Sequence, residues 1–381
     1  MTYSYYDFFA GGGMAGYGLG SEWNCLFAND IDEKKAESYR ANHSGGRELI
    51  VDDVASISTN MVPEVADLAW ASFPCQDLSL AGNGAGLKGF RSGAFLPFWQ
   101  LLSRLNSEGR APKIVALENV YGTLRSNKGR DFQAIAQSFA ELGYSFGAVV
   151  VDAVHFLPQS RPRFVMIGVR SDLLIPASIV SSEPLAAWHP KALIEGKNAL
   201  EGIASEKWVW WNLPPPPTRT IDLTDIVEDE PTGVKWHSAQ ETKYLLKLMD
   251  ANNRLKVAER QRSLGIHVGT VYKRTRPNKE GTKSQRAEVR FDGIAGCLRT
   301  PGGGSSRQTI VIINGGEVRS RLLSPREAAR LMGLPDRYKL PPRYNQAYQL
   351  AGDGVAVPVV EFLKKTVFER VITKNRVSLA A

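Results

Sequence analysis

The sequence predicts an α/β fold: a doubly wound, mostly parallel sheet joined to a second, smaller and irregular domain. Three observations lead there. From the N-terminus to about Ser171, apolar strand-like runs alternate with helical runs. A glycine turn joins the first strand to the first helix. Beyond Ser171 the alternation gives way to Trp- and Pro-rich sequence, and then to basic sequence punctuated by glycine.

Each element has its local reason. "YSYYDFFAGGGMAGYGLG" reads as an apolar strand, a glycine turn and a helix. "WNCLFANDID" is a second strand ending in acid, and "EKKAESYRANH" has helical composition. "LIVDDVASI" and "VADLAWAS" are a third and fourth strand. "FLPFWQLLSRLN" is an amphipathic helix. "KIVALENV" is a buried strand with an acid at its C-terminal end, and "DFQAIAQSFAELGY" is a helix closed by Gly143. "SFGAVVVDAV" and "RFVMIGVRS" are further strands. After Ser171, the proline run of "WVWWNLPPPPTRT" predicts a stiff connector. One helix is expected over 238–263. "SPREAARLMGLP" is a capped helix with Ser324 as N-cap, Pro325 at its first position and Glu327 completing a capping box. "AGDGVAVPVVEFLKKTVFERVI" is a glycine turn leading into an amphipathic helix.

Composition narrows the class. The 381 residues suffice for two or three lobes, and 43% hydrophobic content allows a sizeable core. A formal net charge of +8 suits an anionic partner without identifying one. The three cysteines, Cys25, Cys75 and Cys297, lie far apart, so neither a disulfide framework nor a metal site is expected. The N-terminal stretch lacks the features of a signal peptide, and no apolar run is long enough to span a bilayer. The expectation is a reduced, cytoplasmic protein.

Four groups of residues carry chemistry. Gly11, Gly13 and Gly16 form a GxGxxG turn between strand and helix, and Asp30 ends the next strand where a ribose-binding acid belongs. A dinucleotide and S-adenosylmethionine both fit that pattern. Cys75 follows Pro74 at the end of a strand, where open α/β sheets place their sites. By itself it reads more readily as a buried, inert cysteine, because free cysteines are usually buried and a nucleophilic thiolate must be exposed and have its pKa lowered. Glu118, at the end of "KIVAL", can serve as a general acid if its strand neighbours that of Cys75. Gln159, Arg161 and Arg163 alternate along an extended segment, so the two guanidinium groups are expected to face one way, toward phosphate or carboxylate.

Taken together, these groups resemble the ordered motifs of the C5-cytosine DNA methyltransferases. "DFFAGGGMAG" resembles the cofactor motif, and "NDID" and "DDV" the next two cofactor segments. "PCQDLS" resembles the nucleophile loop and "RSGAF" its continuation. "ENV" and "QSRPR" match the catalytic motifs, while "RLLSPREAARLMGLPD" and "QLAGDGVAVPVV" match the last two. The motifs cover about residues 5–168 and 294–365. One departure stands out: Asp353 occupies a position where the family commonly has Asn.

The resemblance implies a Rossmann-like S-adenosylmethionine-dependent catalytic domain over 1–170, completed by a C-terminal helical segment, 345–381. A target-recognition domain is implied over 171–344. It implies Cys75, Glu118, Arg161 and Arg163 as catalytic residues. The cofactor would be held by Phe9, Ala10, Gly11, Gly13, Asp30, Ile31, Asp53, Val54, Pro74 and Asp353. Double-stranded DNA would be met by Gln76, Ser79, Arg91 and Gln159, and by Arg274, Arg276, Arg286 and Arg290 of the basic segment. A monomer is expected, acting on DNA in the cytoplasm, and such chains commonly pair with a restriction endonuclease. Three rivals remain at this stage: a tRNA methyltransferase of the same fold, which carries a shorter insert; a NAD-dependent dehydrogenase on the same glycine turn; and a catalytically dead DNA-binding protein.

Overall fold

The computed structural model describes residues 2–74, 93–277, 283–299 and 307–380. The chain forms two compact units. The first comprises Met1–Asp152, Pro162–Pro216 and Val357–Ala381; the second comprises Ala153–Arg161 and Pro217–Ala356. No helix among the described residues is long and apolar enough to cross a membrane.

The first unit is built on a seven-stranded sheet. Its strands are β1 (Tyr3–Phe8), β2 (Trp23–Asp30), β3 (Leu49–Val51), β4 (Leu68–Ala71), β5 (Ile114–Val120), β6 (Tyr144–Asp152) and β7 (Pro162–Arg170), in the order β3-β2-β1-β4-β5-β7-β6. From β3 to β5 all neighbours are parallel, whereas β7 runs antiparallel to both β5 and β6. Strand order reverses at β1 and β4. In open α/β sheets such a switch opens a crevice at the C-terminal strand ends. Strand β4 is apolar throughout because both faces of the sheet are covered there; its Leu68, Ala69, Trp70 and Ala71 are all buried.

Helices α1 (Met14–Leu19), α2 (Glu33–Asn42), α3 (Phe95–Ser107) and α4 (Arg130–Glu141) connect these strands. Asp32 caps α2, its carboxylate accepting from the Lys34 N–H at 2.9 Å. On α3, Phe95, Phe98, Trp99, Leu102 and Leu105 recur at helical spacing and are all buried.

The aromatic segment after β7 belongs to this first unit. Its chain carries α5 (Lys191–Asn198), α6 (Gly202–Glu206) and a small ladder of β8 (Val180–Ser181) with β9 (Trp210–Trp211). Phe146 of β6 donates to Lys207 O at 2.9 Å and accepts from Val209 N–H at 2.7 Å. The approach is so close that a Cβ at Gly147 would fall 1.9 Å from Val209 O. The unit boundary therefore falls inside the proline run at Pro216–Pro217, beyond the 170/171 boundary expected from the motifs.

The second unit contains a four-stranded antiparallel sheet in the order β11-β10-β12-β13. Its strands are β10 (Ile266–Pro277), β11 (Lys283–Arg290), β12 (Thr309–Asn314) and β13 (Glu317–Leu322). After the short α7 (Leu223–Ile226), the expected helix over 238–263 forms as two, α8 (Ala239–Lys247) and α9 (Ala251–Arg262). The break has a local cause: Asp250 turns extended and caps α9 by accepting from the Asn253 N–H at 2.8 Å. Leu245, Met249 and Val257 pack against Val271, Ala287, Val289, Val311 and Ile313, giving this unit its own core. The expected capping box of α10 (Pro325–Arg330) forms. Its Glu327 also accepts from the two terminal guanidinium nitrogens of the fully buried Arg321, Nη2 at 2.6 Å and Nη1 at 2.8 Å. Helix α11 (Tyr344–Asp353) follows.

The chain returns to the first unit through α12 (Val357–Leu363), a π turn over Lys364–Phe368 and α13 (Glu369–Ala380). Gly18 lets α1 lie directly on α12; a Cβ there would fall 2.5 Å from Val360 Cβ.

Candidate active site

The glycine turn stands at the C-terminal end of β1, beside the strand-order reversal. Phe9, Gly11 and Gly13 have φ of 58°, 55° and 75°. The left-handed region suits glycine, and a bulky Phe held there marks strain at a special turn. Two hydrogen bonds tie this turn to β2: Ala10 N–H donates to Asn29 O at 2.9 Å, and Gly11 N–H donates to Asp30 Oδ2 at 2.8 Å. Asp30 Oδ1 accepts from the Asp32 N–H at 2.8 Å. The first task of Asp30 is thus to shape the turn. Each carboxylate oxygen retains a further lone pair for a hydroxyl.

Around Asp30 the surface suits a nucleoside. Ile31 is 69% exposed, leaving apolar area beside the acid. Val54 is buried, while the exposed Asp53 caps a short turn by accepting from the Ala55 N–H at 2.9 Å. Asn29 Nδ2 fastens β2 to the exit of β3, donating to Ile50 O at 3.1 Å and Asp52 O at 2.9 Å. An acid aimed at the turn, an open apolar side chain and glycines without side chains fit S-adenosylmethionine. Beneath the turn lies Asp7, which sequence reading passed over as part of an apolar strand. Burial pushes its carboxyl well above the usual carboxylate range, and the charges of Asp30 and Glu48 add to the shift.

The second part of the edge lies where β4 and β5 end side by side, with Ala71 opposite Leu117. Asn119 Nδ2 donates to Phe73 O at 3.0 Å, fixing the chain as it leaves β4. Pro74 is exposed. Cys75, Gln76, Ser79 and Arg91 lie outside the described residues. One residue before Asn119, Glu118 Oε1 meets Arg163 Nε at 2.9 Å, and both side chains are about nine-tenths buried. The antiparallel entry of β7 creates this meeting, because Arg163 pairs in register with Val120. Asn119 was visible in the sequence beside Glu118, but its bond to Phe73 needs the strand order to be known.

Two arginine-motif expectations are corrected in the second unit. Gln159, expected on DNA, is fully buried. Its Nε2 donates to Leu331 O at 2.6 Å, and its Oε1 accepts from the Leu298 N–H at 3.1 Å. Arg161, expected to work in catalysis beside Arg163, is equally buried. It donates to Leu298 O at 3.1 Å, Gly352 O at 2.8 Å and Gly354 O at 2.6 Å. These bonds make it a clamp joining two distant backbone segments. Asp353, between those glycines, is exposed, and its carboxylate accepts from Gln349 Nε2 at 3.4 Å. The carbonyls on either side of it, Gly352 O and Gly354 O, engage the clamp.

The recognition arginines also separate. On the hairpin of β10 and β11, Val271, Ala287 and Val289 face the core of this unit. Arg274 and Arg286, directly opposite each other, are exposed. Arg274 Nε lies 3.5 Å from Glu288. Arg290 is engaged at the root of the hairpin, its Nε donating to Asp292 Oδ1 at 2.7 Å. The side chain of Arg276 lies outside the described residues.

Comparison with known proteins places nearly the whole chain in a family. A model of the C-5 cytosine-specific DNA methylase family matches residues 3–369. The chain is 28% identical to the type II methyltransferase M.HhaI of Haemophilus parahaemolyticus, over 94% of this chain and 91% of that one. It is 27% identical to the type II methyltransferase M.HpaII of Haemophilus parainfluenzae, covering 97% and 90% of the two chains. Among solved structures, a putative DNA modification methyltransferase encoded within a prophage of E. coli superposes with a TM-score of 0.56 at 18% identity, over 98% of this chain and all of that one. A mutant of the Spodoptera frugiperda DNMT2 gives 0.60 at 14% identity, over 97% of this chain and all of that one. At such identities these two structures speak for the fold.

Proposed function

The chain belongs to the C-5 cytosine-specific DNA methylase family, and from that premise we propose a sequence-specific reaction on duplex DNA in which Cys75 is the nucleophile. The observation that carries this reading is the buried Glu118–Arg163 pair at 2.9 Å, placed beside the Asn119 bond that fixes the chain entering the Cys75 loop.

Cytosine C5 is a poor nucleophile while the ring is aromatic. The Cys75 thiolate forms a bond to C6, the C5–C6 double bond is lost, and negative charge builds at N3 and O2. Glu118, in its protonated form, would donate to N3 and take that proton back as the ring is restored, and Arg163 would stabilise O2; preorganised polar groups at developing charge are a large source of rate enhancement. S-adenosylmethionine, when bound, supplies an electrophilic methyl group for C5. Loss of the C5 proton to a base and departure of Cys75 as thiolate restore the ring. Phe9, Ala10, Gly11, Gly13, Asp30, Ile31, Asp53 and Val54 would hold the cofactor.

A base inside a duplex cannot reach Cys75, so the cytosine must flip out, at a cost of about a few kcal/mol. Gln76, Ser79 and Arg91 of the Cys75 loop would meet the DNA as it opens. Arg274 and Arg286 would contact duplex on the recognition side. The same reading expects a monomer in the cytoplasm whose methylation protects DNA from a partner endonuclease.

Duplex DNA carrying 5-fluorocytosine at the target base tests the nucleophile. Fluorine at C5 cannot leave as a cation, so the thioether persists after methyl transfer. A covalent adduct that requires S-adenosylmethionine and disappears in Cys75→Ser is expected, since a serine hydroxyl is almost wholly protonated at neutral pH. Cys25→Ser and Cys297→Ser should trap normally. An adduct formed by Cys75→Ser would move the role to another residue. Trapping on tRNA in place of duplex DNA would revive the rival substrate.

A further inference from the structure

Beneath the glycine turn, one side chain fills the space that two glycines leave. A Cβ at Gly13 would fall 2.1 Å from His43 Nε2 and 2.5 Å from its Cδ2; one at Gly16 would fall 3.2 Å from its Cε1. His43 sits just past α2, its N–H closing the helix on Tyr39 O at 2.9 Å. Its ring stacks on Tyr39 at 4.4 Å between centroids and meets Tyr17 of α1 edge-on at 5.2 Å. Tyr39 cannot yield, because it is fully buried and its hydroxyl donates to Glu48 Oε1 at 2.9 Å. The Tyr5 hydroxyl closes the other side, 2.5 Å from where a Gly16 Cβ would stand. Asp30 shapes the turn from β2, and His43 supports it from below.

We propose that His43 is a positioning residue of the cofactor site: as a neutral ring it fills the hollow under Gly13 and Gly16 and fixes the turn that receives S-adenosylmethionine. This rests on the cofactor reading given above. The sequence "RANHSG" offered no hint of it, since His43 reads there as a helix-end residue.

The chemistry of the hollow favours the neutral ring. Burial lowers the His43 pKa, opposed by the Glu48 charge and by the backbone of Gly13 and Gly12. The other titratable groups around it are Tyr17 on α1, Tyr39 on α2, and Tyr5 and Asp7 on β1, with Cys25 on β2 reached through Tyr39. Burial pushes the Tyr5 and Cys25 protons up, so these two groups stay neutral near pH 7, and it moves the Asp7 carboxyl well above the usual carboxylate range. A proton taken up by His43 therefore places a charge on a ring packed between Tyr39 and Tyr17. Because burial lowers the folded pKa below the ordinary histidine value of about 6.5, the ring stays neutral through that value, and the support is lost only as pH falls further, through the folded pKa.

Calorimetry with S-adenosylhomocysteine tests this on the full chain, comparing wild type, His43→Ala and His43→Phe between pH 8 and pH 5. His43→Ala should bind roughly tenfold or more weakly at pH 8, because the turn loses its support. His43→Phe, a flat ring without a proton to gain, should bind within about threefold of wild type at pH 8. It should also lose less affinity than wild type on going to pH 5. The variant-to-wild-type ratio at each pH cancels titration of the ligand. Wild-type affinity in His43→Ala, or a fall with pH in His43→Phe equal to that of wild type, overturns the proposal. Should His43→Ala fail to fold, the pH profile of His43→Phe decides alone. Failure of the wild-type protein to bind at all would instead overturn the cofactor reading, and this inference with it.

Discussion

At the C-terminal edge of the seven-stranded sheet, Arg163 is held by Glu118 at 2.9 Å, with side-chain exposures of 12% and 8%. On the β10–β11 hairpin Arg274 leans toward Glu288 at 3.5 Å, with side-chain exposures of 45% and 48%. The residue types match and the physics does not. A buried pair has one geometry, and removing a partner strands a charge in a poor solvent. An exposed pair contributes about 0–1 kcal/mol and can exchange its partner at little cost. The hairpin goes further, since Arg274 and Arg286 are directly opposed in register. Like charges placed there cost stability, a cost that a phosphate would relieve. The first arrangement suits a reaction that needs fixed groups; the second suits a surface that waits for an anion.

Removing one acid from each pair should separate them most sharply. Glu118→Ala should lower stability by about 3–5 kcal/mol in urea unfolding, because the buried Arg163 guanidinium loses its carboxylate. Glu288→Ala should cost less than about 1 kcal/mol. Glu118→Gln keeps an acceptor near Arg163 but cannot deliver a proton. Its methyl-transfer rate should fall about 10²–10⁴-fold while DNA binding holds. Equal stability losses at Glu118 and Glu288 would erase the contrast.

Arg161 and Arg163 stand two residues apart and sharpen the comparison further. Arg161→Ala abandons carbonyls of Leu298, Gly352 and Gly354. A loss of about 2–4 kcal/mol is expected, read as a lower unfolding midpoint. Arg161→Lys should recover only part of it, since an ammonium cannot reproduce the guanidinium fork. If Arg161→Ala lowered the rate of methyl transfer without lowering the midpoint, Arg161 would belong with the reacting groups after all.

Those two arginines also show where sequence reading stops. The glycine turn, the acid ending β2, the capping box at Ser324 and the exits of β4 and β5 were legible because each depends on neighbours a few residues away. Gln159 and Arg161 were read as facing a ligand because their partners, Leu298, Leu331, Gly352 and Gly354, lie more than a hundred residues downstream. The antiparallel entry of β7, which brings Arg163 to Glu118, likewise depends on strand order rather than pattern. Asp250 was available as a cap, yet the helical composition around it hid the break between α8 and α9. Gly147 gave no sign that the tryptophan segment would lie against it.

On the hairpin, Arg274→Ala and Arg286→Ala should each leave stability within about 0.5 kcal/mol. Binding to duplex DNA should weaken. An arginine on phosphate lowers the dependence of log K on log salt by about one and acts on all sequences alike; an arginine on a base edge costs about 1–3 kcal/mol and relaxes the methylated sequence. Arg290→Ala, where Asp292 already engages the guanidinium, should change DNA binding less than either. Unchanged binding and unchanged target in both Arg274→Ala and Arg286→Ala would move recognition off this face.

The smallest expected effect carries the buried-against-exposed contrast to pH. His189 is 1% exposed; its Nδ1 accepts from the Leu185 N–H at 2.7 Å, and the ring meets Trp210 edge-on at 4.8 Å between centroids. An Nδ1 that accepts cannot also carry a proton, so the ring is neutral. Burial lowers its pKa to about 4, with the Leu185 backbone acting the other way. An unfolded histidine titrates near 6.5, so between those values the unfolded chain binds more protons. Stability from this site is complete above about pH 6.5 and is lost as pH falls toward 4. Allowing for relaxation around the charged ring, about 1–2 kcal/mol should disappear across that window. His189→Asn can keep an acceptor for Leu185 without titrating in the range. Its urea midpoint should therefore fall less than that of wild type between pH 7.5 and pH 5, whatever the other groups contribute to both proteins. Parallel slopes would mean that His189 takes up its proton without cost in the fold, and that burial at this site does not set its charge.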